Sequence, residues 1–531
     1  MKLTGPDPYI VALYLLGMVG LGIALSFRRR SSDAGDYFLA GRSLPWWAIG
    51  GSLIASNISA EQFIGMSGSG FKIGLAIASY EFMAAITLIL IAWFVLPVFL
   101  KMRIDTMPQF VEKRYGRPVR TGLAIFWLVL FVFVNITSVL YLGALTLQAT
   151  LGWPLVGGIV LLAAYSAAFS IFGGLRTVVF TDMVQVVVLL TGGFLTTVLA
   201  LQAAGDGGAW NGLMTLVRTV PEKFDLILFQ GDLVYATDDG GSRDAWLDLP
   251  GLSVLLGGMW IANLYYWGTN QYIIQRALGA KSLSEARKGV GLAALVKLVL
   301  PIIVVVPGIV AAALDAPVEK GDQVYAWVLT TFIPVGLKGI CFAAVIAAVG
   351  SSISSMVNSA STIFTLDLYR PYIRTDAPEK HYVAVGKWAA AAGLVIGVVV
   401  APSLRSLDQA FQFIQNLTGY FSPGILVIFL FGLFWARSTR QAAFAVVLAS
   451  LPVSLGLDMV FPEETLPFLN RMGVSFLVLS ALMIGLSLAT GHGRDAKATD
   501  LDGSMFRVST GFLLTALAVV AVLAVLYGAL G

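Results

Sequence analysis

The chain of 531 residues carries about 14 apolar runs of roughly 18–28 residues, each long enough to cross the hydrocarbon of a bilayer. That pattern leaves little choice of fold. Lipid offers the backbone no hydrogen-bond partners, so a spanning segment satisfies its own N–H and C=O groups as an α-helix. The runs lie near 8–27, 46–70, 73–100, 120–148, 153–173, 178–203, 250–277, 288–314, 333–367, 382–402, 408–435, 439–457, 467–491 and 508–530. The run at 333–367 is longer than one span needs and is expected to tilt or to project beyond the membrane. With 58% hydrophobic residues, 12% charged residues and a mean hydropathy of +0.84, the composition excludes a soluble domain. The expected surroundings are a lipid bilayer, and the net charge of +4 lies in loops rather than forming a nucleic-acid surface.

Basic residues set the orientation. Arg28, Arg29, Arg30 and Arg42 follow the first run, and Lys101, Arg103, Lys113, Arg114, Arg117 and Arg120 follow the third. Over alternate loops, roughly 23 Lys and Arg fall on one side and roughly 9 on the other. The richer side is read as cytoplasmic, which puts both termini outside. The loop 205–249, with Asp206, Asp225, Asp232, Asp238, Asp239 and Asp244, is then external, and a short amphipathic helix is possible within it at 210–217. One Lys before the first run and three Arg after it form the flanks of an uncleaved anchor. Cys341 is the only cysteine, so no intramolecular disulfide forms. His381 and His492 fall in expected cytoplasmic loops, and the N-x-S/T sequences at Asn57, Asn135 and Asn416 lie inside spans, out of reach of glycosylation.

Two spans are interrupted by polar residues. Between Ala55 and Gln62 the second run holds Ser56, Asn57, Ser59, Glu61 and Gln62. Five spans later, Gly257 to Gln271 is rich in Gly, Asn and aromatic residues. Broken helices at matching places in two halves are the pattern of an inverted-repeat transporter, whose ligands sit at the breaks. The expected organisation is one transmembrane domain over 1–531: a peripheral span at 8–27, repeat one at about 46–203, the external loop, repeat two at about 250–435, and peripheral spans over 439–530.

Glu81, Asp182 and Lys297 are the ionisable groups read as deep within spans, where each costs roughly 2.5–3.5 kcal/mol by insertion scales. A carboxylate and an ammonium facing one cavity suit a neutral polyhydroxylated ligand; alternatively they pair only to pin two helices. Ser351, Ser352, Ser354 and Ser355, followed by Asn358, Ser359, Ser361 and Thr362, offer hard neutral oxygens suited to a small monovalent cation. The same stripe of small residues also lets membrane helices pack closely. Gln412 and Gln415 share a helical face that reaches either a ligand or a neighbouring helix. Tyr80, Tyr266, Trp267 and Phe411 provide flat apolar surfaces, as core or as a platform for a sugar ring. The chain carries no H-E-x-x-H, no paired-Asp protease motif and no cytosolic catalytic insert, so an enzyme is not expected.

The stretches Asp36 to Trp47 and Asn57 to Gly68, the Gly173-Gly174-Leu175 turn, and the segments Asn263 to Gly268 and Gln271 to Arg276 resemble the sodium/solute symporter family, in its sugar-transporting branch. The resemblance covers nearly the whole chain and is weakest in 205–249, around 315–325 and after about 490. It implies an all-α, leucine-transporter-like core of five plus five inverted helices, in a bacterial inner membrane. It implies sodium-driven symport of a hexose of the galactose or glucose class by alternating access. By position, Gln62, Glu81, Asn263, Lys297 and Gln415 bind sugar hydroxyls, with Asn57 beside them. Tyr266 stacks on the ring as the inner gate next to Trp267, and Met66, Tyr80 and Phe411 close the outer side. Sodium is held by the Ala55, Ile58 and Ala348 carbonyls and the Ser351 and Ser352 hydroxyls, with Asp182 on its exit path. Ala84 stands where a close relative in the family has a serine, which leaves the preferred epimer open. Other readings are symport of another neutral solute such as an inositol, a sodium- and sugar-gated sensor, and proton coupling through Asp182 or Glu81.

Overall fold

The computed structural model describes residues 3–28, 33–205, 207–237, 240–406, 410–491 and 493–531, with Arg28, Phe172, Ser406 and residues 410–413 described as backbone only. The expected roles of the Phe411 and Gln412 side chains, of Arg29 and Arg30, of Asp206, Asp238 and Asp239, and of His492 therefore lie outside the described residues.

Helix follows helix along the chain. Helix α1 spans Asp7–Arg28 and α2 spans Trp46–Asn57. After a wide π-turn at Glu61–Met66 the chain resumes as α3, Ser67–Ile73. Helix α4, Ser79–Leu90, continues through Ile91–Val95 to Met102. Helix α5 runs Arg117–Leu151 and α6 runs Leu155–Ala204. The second half comprises α7 (Gly258–Gly268), α8 (Gln271–Leu278), α9 (Leu283–Val304), α10 (Lys338–Ile363) and α11 (Glu379–Val400). Then follow α12 (Ala410–Gly419), α13 (Ser422–Phe434), α14 (Arg440–Val460), α15 (Phe468–Thr490) and α16 (Thr510–Leu530).

By length and apolarity, ten of the described helices can cross a bilayer, or eleven if the pair bent by 76° at Gly257 is one span. The about 14 spans expected from sequence are not reached by that measure. The runs at 46–70, 153–173 and 408–435 are built from shorter pieces, Trp46–Asn57, Leu155–Ile171 and Ser422–Phe434, while Glu61–Met102 runs two expected spans together. A fixed apolar window cannot register such joints, because a turn made by a small residue leaves hydropathy unchanged. Gly174 is one: its φ of +62° turns the chain inside α6, and a Cβ there would lie 2.4 Å from the Tyr37 carbonyl oxygen.

Burial divides the helices. The apolar window of Lys338–Tyr372 is 94% buried, that of Thr510–Leu530 only 17%. Apolar residues facing outward are what lipid requires, so the serine-rich α10 is the interior post and α16 lies at the rim. The segment 205–249 holds a helix at Ala209–Thr219, over the expected amphipathic stretch, and a two-stranded hairpin pairing Val234–Ala236 with Ser242–Asp244.

Candidate functional site

The first break follows from local chemistry. Helix α2 stops at Asn57, leaving its last carbonyls without partners in the helix. The next turn is started by side chains. Gln62 Oε1 accepts from the Ser59 N–H at 2.9 Å and from the Ser59 hydroxyl at 2.8 Å, while Ser59 Oγ accepts from the Glu61 N–H at 3.0 Å. This is a reciprocal capping arrangement inside a membrane. It occupies the Gln62 carbonyl oxygen and leaves the amide nitrogen for a ligand.

The second interruption falls within the expected stretch of Gly257 to Gln271, at its two ends. Asn263, Tyr266 and Trp267 ride on the continuous helix α7, and the breaks lie at its ends, at Gly257 and at Thr269–Asn270. Tyr266 and Tyr272 stand on either side of the latter break with their hydroxyls 2.5 Å apart.

Both breaks open onto one cavity. Lys297 of α9 is its centre. Its ammonium donates to Glu81 Oε2 and to Asn57 Oδ1, and lies 5.0 Å from the centre of the Trp267 ring. Asn57 donates in turn to the Tyr266 hydroxyl at 3.0 Å. Gln62, Asn263, Gln415, Tyr80 and Ala84 complete this part of the wall. Asn263 also bonds back to the Met259 carbonyl at 3.2 Å. All eight positions expected to hold sugar thus line a single cavity. Met66, expected as an outer gate, is fully buried and does not line it.

Sequence reasoning missed part of the wall. Glu61 Oε1, Asn135 Oδ1 and Asn270 Oδ1 are buried without a hydrogen-bond partner, and their residues line the same cavity. Buried acceptors left unpaired are costly, so a ligand rich in O–H donors is what this wall favours. Asn135 was visible only as a glycosylation-like tripeptide; Glu61 stood within the polar break itself.

The serines of α10 meet the open end of α2. Ser351 donates to the Ala55 carbonyl at 2.6 Å and to the Ala348 carbonyl at 3.1 Å, and Ser352 donates to the Ser56 carbonyl at 3.1 Å. Ile58, just past the helix end, is fully buried with an extended ψ of 97°. Hydroxyl and carbonyl oxygens without a net charge are a donor set that fits sodium. No three His, Cys, Asp or Glu side chains converge among the described residues, so the donor types a transition metal selects are not gathered here.

Asp182 adjoins this region. Its Oδ2 accepts from Ser52 at 2.5 Å and from Ser56 at 3.4 Å, and Arg276 approaches it to 3.8 Å. Arg276 is fully buried and also bonds Ser52 at 3.1 Å and Ser355. A buried carboxylate is tolerable when paired and hydrogen-bonded, and Arg276 supplies that pair. It extends the set of three intramembrane ions read from sequence, as does the buried Arg120–Asp367 pair at 2.8 Å.

A family model for the sodium:solute symporter family matches residues 37–449. A sodium/glucose cotransporter of Vibrio parahaemolyticus is 46% identical over 98% of this chain and 97% of its own length. A sodium/myo-inositol cotransporter 2 of Mus musculus is 32% identical over 86% of this chain and 71% of its own. Among solved structures, a Na+-coupled sialic acid symporter in a substrate-bound outward-open state superposes with a TM-score of 0.79 at 22% identity, covering 92% of this chain and 98% of that one. Mhp1, a nucleobase-cation-symport-1 family transporter, gives 0.54 at 14% identity, over 88% and 98%. These two likenesses show a shared fold, the leucine-transporter-like helical core. Residues 37–449 and the near full-length relatives together establish that the chain belongs to the sodium:solute symporter family.

Proposed function

We propose that this protein carries a hexose of the galactose or glucose class into the cell with sodium, by alternating access. The carrying observation is the cavity that gathers a buried Lys297–Glu81 ion pair, the Glu61 carboxyl, amides from Asn57, Gln62, Asn263 and Gln415, and the rings of Tyr266 and Trp267. Closely spaced donors and acceptors match a sugar's hydroxyls, and flat rings match its C–H face. The full-length similarity to a sodium/glucose cotransporter supports the same substrate class.

Sodium binds where the Ala55, Ile58 and Ala348 carbonyls meet the Ser351 and Ser352 hydroxyls. Those carbonyls belong to α10 and to the end of α2 with the residue just past it, so the ion ties the first broken span to the interior post. Coupling is reciprocal: if sodium favours the outward-open form in which the sugar site is complete, sugar raises sodium affinity by the same factor. Each charge moved inward is driven by about 2.3 kcal/mol per 100 mV. Asp182 lies on the sodium path to the cytoplasm. Tyr266 is the inner gate, while Tyr80 closes the outer side. The excess of Lys and Arg in alternate loops supports a multi-pass chain with both termini outside, in a bacterial inner membrane.

The deciding experiment is uptake of labelled galactose and glucose into proteoliposomes under an inward sodium gradient or an equal potassium gradient. Sodium-dependent accumulation of either sugar is expected, and their ratio reports the influence of Ala84. Uptake of labelled myo-inositol in place of both hexoses would move the substrate to another polyhydroxylated ring. Sugar-evoked current without accumulation would turn the reading to a sensor.

A further inference from the structure

Helix α16 lies outside the 37–449 segment matched by the family model, yet it touches both helices that carry the buried ion pair. On α9, a Cβ at Gly291 would stand 3.4 Å from Thr515 Cγ2. On the continuation of α4, the Trp93 ring meets Phe512 edge-on at 6.1 Å. Near its other end, α16 places Tyr527 against the first turn of α4. The Tyr527 hydroxyl donates to Ser79 Oγ at 2.9 Å, and its ring meets Phe82 edge-on at 6.2 Å. The end of α16 is tied down in turn, its Leu530 carbonyl accepting from the Leu226 N–H at 2.7 Å.

Ser79 and Phe82 flank Glu81. Their turn opens α4 without a side-chain cap, after a tight 3-10 turn at Gly74–Ala78 entered through a positive φ at Gly74. Local sequence therefore fixes the register of Glu81 weakly, and the contacts from α16 supply what the turn lacks. A tyrosine near the end of a membrane helix ordinarily directs its hydroxyl to the interfacial water. Tyr527 directs it inward, to a serine that is 1% exposed.

We propose that Tyr527 is a positioning residue for the substrate: through Ser79 and Phe82 it holds the Glu81 carboxylate in register with Lys297, and so sets sugar affinity without touching sugar. The inference rests on the sugar reading of the Glu81–Lys297 cavity. Its effect belongs to substrate binding, because among the described residues its hydrogen bond and its ring contact go to Ser79 and Phe82 on α4, not to the α2–α10 cation region.

The test is the full-length protein in proteoliposomes at saturating sodium, comparing Tyr527→Phe, Ser79→Ala and the double variant with the parent. Tyr527→Phe keeps the ring and removes one hydrogen bond, so the sugar KM should rise about three- to tenfold. The kcat and the half-saturating sodium concentration should stay within about twofold, as should the thermal midpoint within the error of a purely structural control such as Phe512→Leu. Ser79→Ala should match it, and the double variant should be no worse than either single one. An unchanged KM, a fall in kcat at constant KM, or additive effects of the two substitutions would each overturn the proposal. Parent uptake tests the sugar reading by itself; if the parent transports a different solute, the same variant-to-parent KM ratio for that solute decides the role of Tyr527.

Discussion

The two broken spans solve the same physical problem with opposite materials. At the first, between Asn57 and Gln62, side chains cap the backbone and a serine helix receives the loose carbonyls: Ser59 and Gln62 bond each other, and Ser351 and Ser352 bond Ala55 and Ser56. At the second, around Thr269–Asn270, two phenols face each other across the break. The polar break is suited to exchanging hydroxyl protons for a cation at its carbonyls. The aromatic break is suited to opening and closing, since the links across it among the described residues include a single hydroxyl pair and an edge-on contact of the same two rings. On the proposed reading, the chemistry of the two breaks divides the labour between ion binding and gating.

Lys297 is where the two meet, bonding Asn57 of the first break and Glu81 while lying over Trp267 beside the second. Substituting Lys297→Met is therefore the largest expected perturbation. It strands a buried carboxylate, which costs about 3–5 kcal/mol, and removes the donor to Asn57. Sodium-driven sugar uptake should fall at least about a hundredfold, with a lowered thermal midpoint. The double variant Lys297→Met/Glu81→Gln should recover the midpoint and leave uptake lost. Recovery of uptake would mean that the pair only fastens α4 to α9, and that the breaks communicate by another route.

What the sequence made legible follows the same division. The first break announces itself, because Asn, Ser, Glu and Gln inside an apolar run have no structural excuse but a ligand or a cap. The second is visible only as glycine and aromatic enrichment over Gly257 to Gln271, and which part of that stretch stays helical (Gly258–Gly268) is not legible from composition. The proposed cation ligands at Ala55, Ile58 and Ala348 are backbone atoms with no side-chain signature, so only family resemblance points to them. Arg276 was counted among loop residues. Its role depends on Asp182, far away along the chain, and periodicity contains no such long-range pairing. Asn135 and Glu61 were passed over because an unpartnered acceptor is a property of the packed cavity, not of a motif.

An intermediate effect separates the first break from the second. Ser352→Ala removes the donor to the Ser56 carbonyl and one candidate sodium ligand while leaving the cavity wall untouched. The half-saturating sodium concentration should rise about tenfold, as for the loss of one hydrogen-bonding group to a charge. At saturating sodium the sugar KM should return to the parent value, because linkage acts only while the ion site is unfilled. Unchanged sodium activation would remove the α2–α10 junction as the ion site and turn attention to Asp182.

The smallest effect belongs to the aromatic break. Tyr272→Phe deletes the hydroxyl pair across Thr269–Asn270 and leaves the Asn57–Tyr266 bond in place. A neutral hydrogen bond contributes about 0.5–1.5 kcal/mol net, so release of preloaded sugar from vesicles should quicken about threefold. Half-saturating sodium should not move, since no sodium ligand is touched. Tyr266→Phe breaks both bonds and should quicken release further while raising the sugar KM. If Tyr272→Phe instead altered sodium activation with release unchanged, the two breaks would not be separate devices: the aromatic pair would act on the ion through Tyr266 and Asn57, whose neighbours Ser56 and Ala55 carry the carbonyls that α10 engages.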